Sequence, residues 1–447
     1  MNPKPPNTRT GKSGWLRQQT VRFKGLAVVG ALALGCAGAA FAAAAPASAD
    51  PATNYVAVGS DTTENVMNGW AQVVSNGVVA SYDAVNPVTA AAQEIITPSK
   101  VTNSTAGFSN CSFTRPNGST EGFNALDFSS TNGGGGLTQD AVAPQNGCID
   151  ISRSSSAPGI NSTGAGSLDP TSGNLIYIPF ALDAVTGATG PTTSAGDVST
   201  TIACESTTTG CTGGQITFTP SLTNITTADD FTIADLKALY ASCTTVSEGG
   251  ITYNPGTAGA GQQQIDLYVP QSGSGTLKFW AKTLGFSATS LPACVHPTIL
   301  AGPGVGEAVE EHDGSAVASD PNGYAPNSIA KWLSMKNGLV QDVRHDSALH
   351  NVNATSPFSG TKMNASFPII REIFNVVQYD RVVNTSDGNF DSVLSALLTG
   401  TSGSLCRAAF TITQYGFATL PTTGSTFDQC GSTASSLRVQ QTTSGPS

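Results

Sequence analysis

Apolar and polar positions change period along this chain, and each change marks an element. NYVAVG (54–59) is a short apolar run that reads as a buried strand. In SDTTENVMNGWAQVV (60–74), Val66, Met67, Trp70, Val73 and Val74 recur at helical spacing. Asp61 with Glu64 three residues on resembles a capping box, so Ser60–Thr63 form a strand-to-helix turn. LIYIPFALDAV (175–185), QIDLYVP (264–270) and SFPIIREIFNVVQYD (366–380) read as strands. TIADLKALYASC (232–243) and TLKFWAKTLG (276–285) read as helices. The first puts Ile233, Leu236, Leu239 and Tyr240 on one face, and the second ends at Gly285. PNSIAKWLSMKNG (326–338) and DSVLSALLTG (391–400) are further helices, GSAVASDPNGYA (314–325) a strand and turn, and the Thr- and Gly-rich stretch 187–228 a hairpin excursion. Strands alternating with helices predict an α/β fold.

The amino terminus falls outside this pattern. Six basic residues and no acid precede the apolar run LAVVGALALGCAGAAFAAAA (26–45), and Ala47 and Ala49 occupy the small positions of a cleavage site. Residues 1–49 are therefore expected to be a signal peptide, cut after Ala49, with the mature protein secreted. Uncleaved anchoring and lipidation at Cys36 are the rivals, although LALGC is a poor lipidation motif. The leader holds six of the 20 Lys and Arg and none of the 30 Asp and Glu, leaving 14 against 30, a net charge of −16. Nucleic acid is thereby an unfavourable partner, since phosphate contacts need clustered Lys and Arg. A small anion can still bind where local dipoles build the site. Eight cysteines remain, an even number that suits disulfides in an exported chain. Neighbour pairing gives Cys111–Cys148, Cys204–Cys211, Cys243–Cys294 and Cys406–Cys430. With no CxxC and four histidines, the sequence contains no evident zinc site. No cofactor is expected.

Three segments share one design: Gly59–Thr63, Ser152–Ser156 and Gly273–Thr276 each follow a strand-like run and place Gly, Ser or Thr at the turn. The first N–H groups of a helix lack internal partners and point along the positive end of its dipole. Glycine allows close approach, and hydroxyls donate or accept. Converging, such loops would enclose an oxyanion. The candidate ligand-binding residues are Ser60, Asp61, Thr62, Thr63, Arg153, Ser154, Ser155, Ser156, Ser274, Gly275 and Thr276, with Arg153 as the full positive charge. Taken singly, each loop is also an ordinary helix cap or turn.

These segments resemble the phosphate-binding proteins of bacterial ABC transporters, within the type 2 periplasmic-binding-protein superfamily. GSGT with the following aromatic helix (273–279) is similar to that family's second-lobe loop, and YVAVGSDTT (55–63) to its first strand and turn. GGGGLTQ (133–139) is similar to its Gly-rich helix start, which adds Gly134 and Gly135 to the candidates. CIDISRSSSAP (148–158), FTIADLKALY (231–240) and DPNGYA (320–325) follow in the family's order. The resemblance covers about two thirds of the mature chain. It implies a two-lobe Venus-flytrap fold with disulfide-stabilised insertions: lobe 1 from 50–176 and 320–447, lobe 2 from 177–319. It also implies a monomeric binding protein, not an enzyme, that captures phosphate or a similar anion and delivers it to an ABC permease. The chain departs from the family at Pro270 and Ser272, where Arg and Asp are usual, at Ser156, where an Asp accepts a proton from phosphate, and at Gly133, where a Ser is usual.

Two other classes stay open. A hydrolase would need an activated nucleophile. The G-x-S-x-G pattern is incomplete around Ser274, but Glu311, His312 and Asp313 in EEHDG, with His345 and Asp346, offer an acid–base or metal group or else polar turns at a cleft rim. A secreted or cell-surface interaction protein of the same fold is the second. LPTTG (420–424) matches a wall-sorting pattern but is followed by neither an apolar span nor a basic tail.

Overall fold

The computed structural model describes residues 55–74, 78–86, 94–98, 111–131, 143–144, 147–159, 167–191, 200–203, 215–218, 231–302, 304–421 and 427–440. The fold is mixed α/β, as the alternating pattern predicts, around one curled sheet of 11 strands. Its main path runs Val295–His296, Asp266–Tyr268, Gly323–Ser328, Leu175–Thr189, Ile370–Gln378, Ile151–Ser154, Tyr55–Gly59, Val79–Ser81. Strands pair in parallel at both ends of this path and antiparallel through the middle. Tyr55–Gly59 and Leu175–Thr189 are buried along their whole length, which explains unbroken apolar runs in place of alternation.

Two large apolar cores lie along the sheet. In the first, Val66, Met67 and Trp70 of the helix Asp61–Val74 pack with Ile176, Phe180, Phe374 and Val376. Val73, expected on the same helical face, is exposed. In the second, Leu236, Leu239 and Tyr240 of the helix Ile233–Ser242 pack with Leu277, Trp280 and Leu284 of the helix Gly275–Leu284. The long strand Leu175–Thr189 contributes up to Ala181 to the first core and from Leu182 to the second. Its antiparallel partner Ile370–Gln378 crosses with it, so these two strands join the cores.

The segment 320–369, read from sequence with the first lobe, buries Tyr324, Ile329, Trp332, Leu349 and Phe367 in the second core. The reason is pairing: Gly323–Ser328 lies between Asp266–Tyr268 and the long strand, so the helix Ile329–Lys336 packs on the second side. That helix begins three residues later than the Pro326 start expected for it. GSAVASD forms a short helix, Ser315–Ser319, instead of a strand. The backbones of Thr200–Ala203 and Gln215–Phe218 form the expected antiparallel hairpin.

Local signals account for several boundaries. Thr232 and Asp235 form a reciprocal capping box at the start of Ile233–Ser242. Gly285, at φ 84°, ends Gly275–Leu284 as its position predicts. Disulfides link Cys111–Cys148, Cys243–Cys294 and Cys406–Cys430, the expected neighbour pairs. Cys204–Cys211 lies outside the described residues.

Trp280 is wholly buried in the second core, edge-on to the Tyr240 ring. Trp280→Ala is expected to lower stability by about 3–5 kcal/mol, read from the midpoint and slope of urea unfolding.

Candidate functional site

Three helix starts meet between the cores: Asp61–Val74 and Ser119–Thr131 from the first, Gly275–Leu284 from the second. The Ser155 hydroxyl joins them, 3.1 Å from Ser60 Oγ and 3.2 Å from Ser119 Oγ. Gly275 abuts the same two hydroxyls, since a Cβ there would lie 2.3 Å from each of Ser119 and Ser155 Oγ. The Thr120 N–H donates to the Gly273 carbonyl at 3.2 Å. Gly118, at φ 102°, backs onto that carbonyl so closely that an added Cβ would lie 2.4 Å from its oxygen. Only glycine permits both that conformation and that approach. Lys278 donates across the same junction to Thr120 Oγ1.

At the centre sits a carboxylate of the chain itself. Glu311 is buried, and its Oε1 accepts from the Thr62 hydroxyl at 2.8 Å and from the Thr276 N–H at 3.3 Å. One donor belongs to each core. Glu311 Oε2 is buried without a hydrogen-bond partner. His312 Nδ1 accepts the Ser328 N–H at 3.2 Å, which leaves Nε2 to carry the ring proton. Nε2 lies 2.9 Å from Thr62 Oγ1 and 3.3 Å from Glu311 Oε1. Burial alone would raise the Glu311 carboxyl. The hydrogen bonds of His312 and Thr276 and the charge of Arg371 outweigh it and hold the group well below the usual carboxylate range.

Arg371 is the guanidinium that faces this group. Its Nη2 donates to Thr276 Oγ1 at 2.9 Å and lies 3.5 Å from Thr62 Oγ1, and its Nη1 donates to the Ser155 carbonyl at 3.0 Å. Nε and Nη2 both donate to Asp183 Oδ2, at 3.0 and 2.7 Å. Asp183 Oδ1 accepts from Ser328 Oγ and the Ala330 N–H. A second charged link spans the cores at Lys331, whose Nζ lies 2.8 Å from Asp61 Oδ1 and 2.6 Å from Glu64 Oε1. Burial would lower the Lys331 ammonium, but the charges of Asp61 and Glu64 hold it above its ordinary value.

The structure brings some expected residues together and diverts others. Ser60, Thr62, Ser155, Gly275 and Thr276 line the junction. Thr63 is buried beside it with Oγ1 unpaired. Asp61 points to Lys331. Ser274 caps its own helix by accepting the Leu277 N–H, and Ser154 and Ser156 bond within their own turn. All five N–H donors of Arg153 are taken by Ser60, Ala57, Gly59 and Tyr82 carbonyls and Ser81 Oγ, so it braces the first core and directs no donor at the junction. Gly134 and Gly135 lie outside the described residues. Ser119–Thr131, which precedes the Gly-rich run in sequence, starts at the junction. Its signal was the turn Asn117-Gly118 followed by Ser119, Thr120 and Glu121. Arg371 and Asp183 are not among the expected residues, although Asp183 is a lone charge in an otherwise apolar strand and Arg371 the one cation of its strand.

The arrangement suits binding better than hydrolysis. A nucleophilic triad needs the imidazole to accept the hydroxyl proton on one nitrogen while a carboxylate holds the other. Here Nδ1 accepts a backbone N–H, and the carboxylate shares the Nε2 side with Thr62. Among the described residues no cluster of His, Cys, Asp and Glu is arranged to hold a metal ion.

No family model and no curated protein matches the chain. Solved structures do. A candidate phosphate ABC transporter substrate-binding protein from Clostridium perfringens, with bound phosphate, is 12% identical, with 83% of this chain and 100% of that one covered at a TM-score of 0.42. An ABC-type phosphate transport receptor from Vibrio cholerae is 13% identical, with 82% and 100% covered at 0.40. A phosphate binding protein from Stenotrophomonas maltophilia is 12% identical, with 82% and 91% covered at 0.39.

Two outcomes follow from the charges at the junction. Lys331→Ala leaves the buried Glu64 and the half-buried Asp61 without their cation and is expected to cost about 3–5 kcal/mol at neutral pH, read from urea unfolding. Glu311 has a depressed folded pKa, so its charge stabilises fully above the ordinary value of about 4.3 and less as pH falls below it. The Tm gap between wild type and Glu311→Gln is therefore expected to be constant near neutrality and to narrow below about pH 4.

Proposed function

We propose that this chain is an extracytoplasmic solute-binding protein that captures a small oxyanion, phosphate first among them, between its two cores. The observation that carries the reading is the seat at Glu311 Oε1. A hydroxyl from one core and a helix N-terminal N–H from the other meet on a single anionic oxygen. Behind them the Arg371 guanidinium bonds one threonine and approaches the other. Such a seat stabilises an oxyanion without a basic surface, which fits an acidic chain. Closure would be rewarded because neither core holds the full donor set alone. The leader pattern and the three disulfides support action outside the cytoplasm. Among the described residues no helix is long and apolar enough to cross a membrane. The implied partner is an ABC permease that receives the ligand from a monomeric binding protein.

A second reading is a secreted or cell-surface interaction protein of this fold without transport. The observation favouring it is that a side chain of the chain itself already fills the seat.

The test is a thermal-shift titration of protein purified from the culture medium with phosphate, sulfate, phosphonate and small carboxylates. The binding reading expects Tm to rise with the logarithm of ligand concentration at high concentration. Thr62→Val, which removes the hydroxyl donor, is expected to weaken that response about tenfold, the worth of a hydrogen bond to a charged group. If no anion moves Tm in wild type or in any variant freed of Glu311, the binding reading is overturned.

A further inference from the structure

We propose that Glu311 is a tethered ligand: its carboxylate occupies the oxyanion seat between the two cores, so that any external anion must displace it to bind. The inference rests on the oxyanion reading of that seat and adds a built-in competitor to it.

The geometry is that of a ligand and not of a wall. The carboxylate enters between the helix starts and is held by Thr62 from one core and by the Thr276 N–H from the other. The turn that carries it is anchored from behind. The Gly314 N–H donates to the Val343 carbonyl at 2.8 Å, and Asp313 lies 3.4 Å from His345. Gly314 backs onto Arg344 so tightly that an added Cβ would lie 1.9 Å from its carbonyl oxygen. His312, at φ 65°, holds a left-handed conformation that non-glycine residues avoid unless their surroundings impose it. That conformation lets His312 reach Ser328 while Glu311 faces Thr276.

The charges make the competition exclusive. Arg371 is matched by Asp183, and Lys331 faces both Asp61 and Glu64. Lys278, the third cation at the junction, is turned to Thr120 Oγ1. Two anions in one buried seat repel strongly. The seat is also imperfectly filled, because Glu311 Oε2 is buried without a partner.

A tethered competitor lowers apparent affinity by the fraction of molecules in which the seat is free. Removing it should therefore tighten binding of small oxyanions without any new contact. Calorimetric titration of the full protein and of Glu311→Ala with inorganic phosphate and with acetate tests this. The expected result is a Kd for Glu311→Ala at least about tenfold below wild type. The Tm of Glu311→Ala should fall and be partly restored by acetate, which replaces the missing carboxylate. Glu311→Gln keeps the side-chain volume and removes the charge, so it should stay folded and fall between the two. Equal phosphate affinities in wild type and variants overturn the tethered ligand and leave the oxyanion seat standing. Weaker binding by the variants also overturns it, because Glu311 would then contact the ligand. No binding by wild type, Glu311→Ala and Glu311→Gln, all folded by circular dichroism, overturns the seat itself and the tethered ligand with it.

Discussion

The buried pair Arg371–Asp183 is the contact on which the rest of the architecture depends. The two residues sit directly opposite each other on the crossing strands, Arg371 on Ile370–Gln378 and Asp183 on Leu175–Thr189. Both are almost fully buried. Two charges withdrawn from water are tolerated only when matched and fully hydrogen-bonded. Asp183 meets that demand with Arg371, Ser328 Oγ and the Ala330 N–H. Arg371 meets it with Asp183, the Ser155 carbonyl and Thr276. These partners come from both sides of the junction, so the pair ties the crossing strands to the loops of each core.

The site inherits its character from that constraint. Because Asp183 already answers the Arg371 charge, the seat in front of it offers orientation and hydrogen bonds more than net positive charge. Helix N-termini supply the remainder, and they are effective because the junction is buried. A carboxylate of the chain takes the place. The Lys331 link to Asp61 and Glu64 and the close backbone approach of Gly118 to Gly273 hold the cores together around it.

Much of this was legible in the chain. The helices Asp61–Val74, Ile233–Ser242 and Gly275–Leu284 were visible from their helical period; the capping box expected at Asp61 and Glu64 does not form, because both side chains turn to Lys331. Thr62, Ser155 and Thr276 were visible because small polar residues at strand-to-helix turns have a narrow range of uses. The Glu311-His312 pair drew notice as chemistry but was weighed as a polar turn. Nothing within five residues says which side of a turn will be buried. Arg153 and Arg371 show the same limit in reverse. Both are single arginines beside apolar strands, and the one next to the serine loop looked like the anion ligand. The neighbouring strands and turns, through Ala57, Gly59, Ser60, Ser81 and Tyr82, instead take all five of its donors.

Most of the elements, their order and the small polar turns follow from the chain's own pattern, because each depends on forces acting within a few residues or on a period that repeats; three disulfides also join the cysteines that neighbour in sequence. Tertiary packing set that most buried apolar residues of 320–369 join the second core, that Arg371 and not Arg153 faces the junction, and that Glu311 enters it. Each of those outcomes rests on groups far apart in the chain: Thr62 with Glu311, Asp183 with Arg371, Lys331 with Asp61. Which polar groups meet in a buried space is set by strand pairing and core packing, and the order of residues specifies those only once the whole sheet has closed.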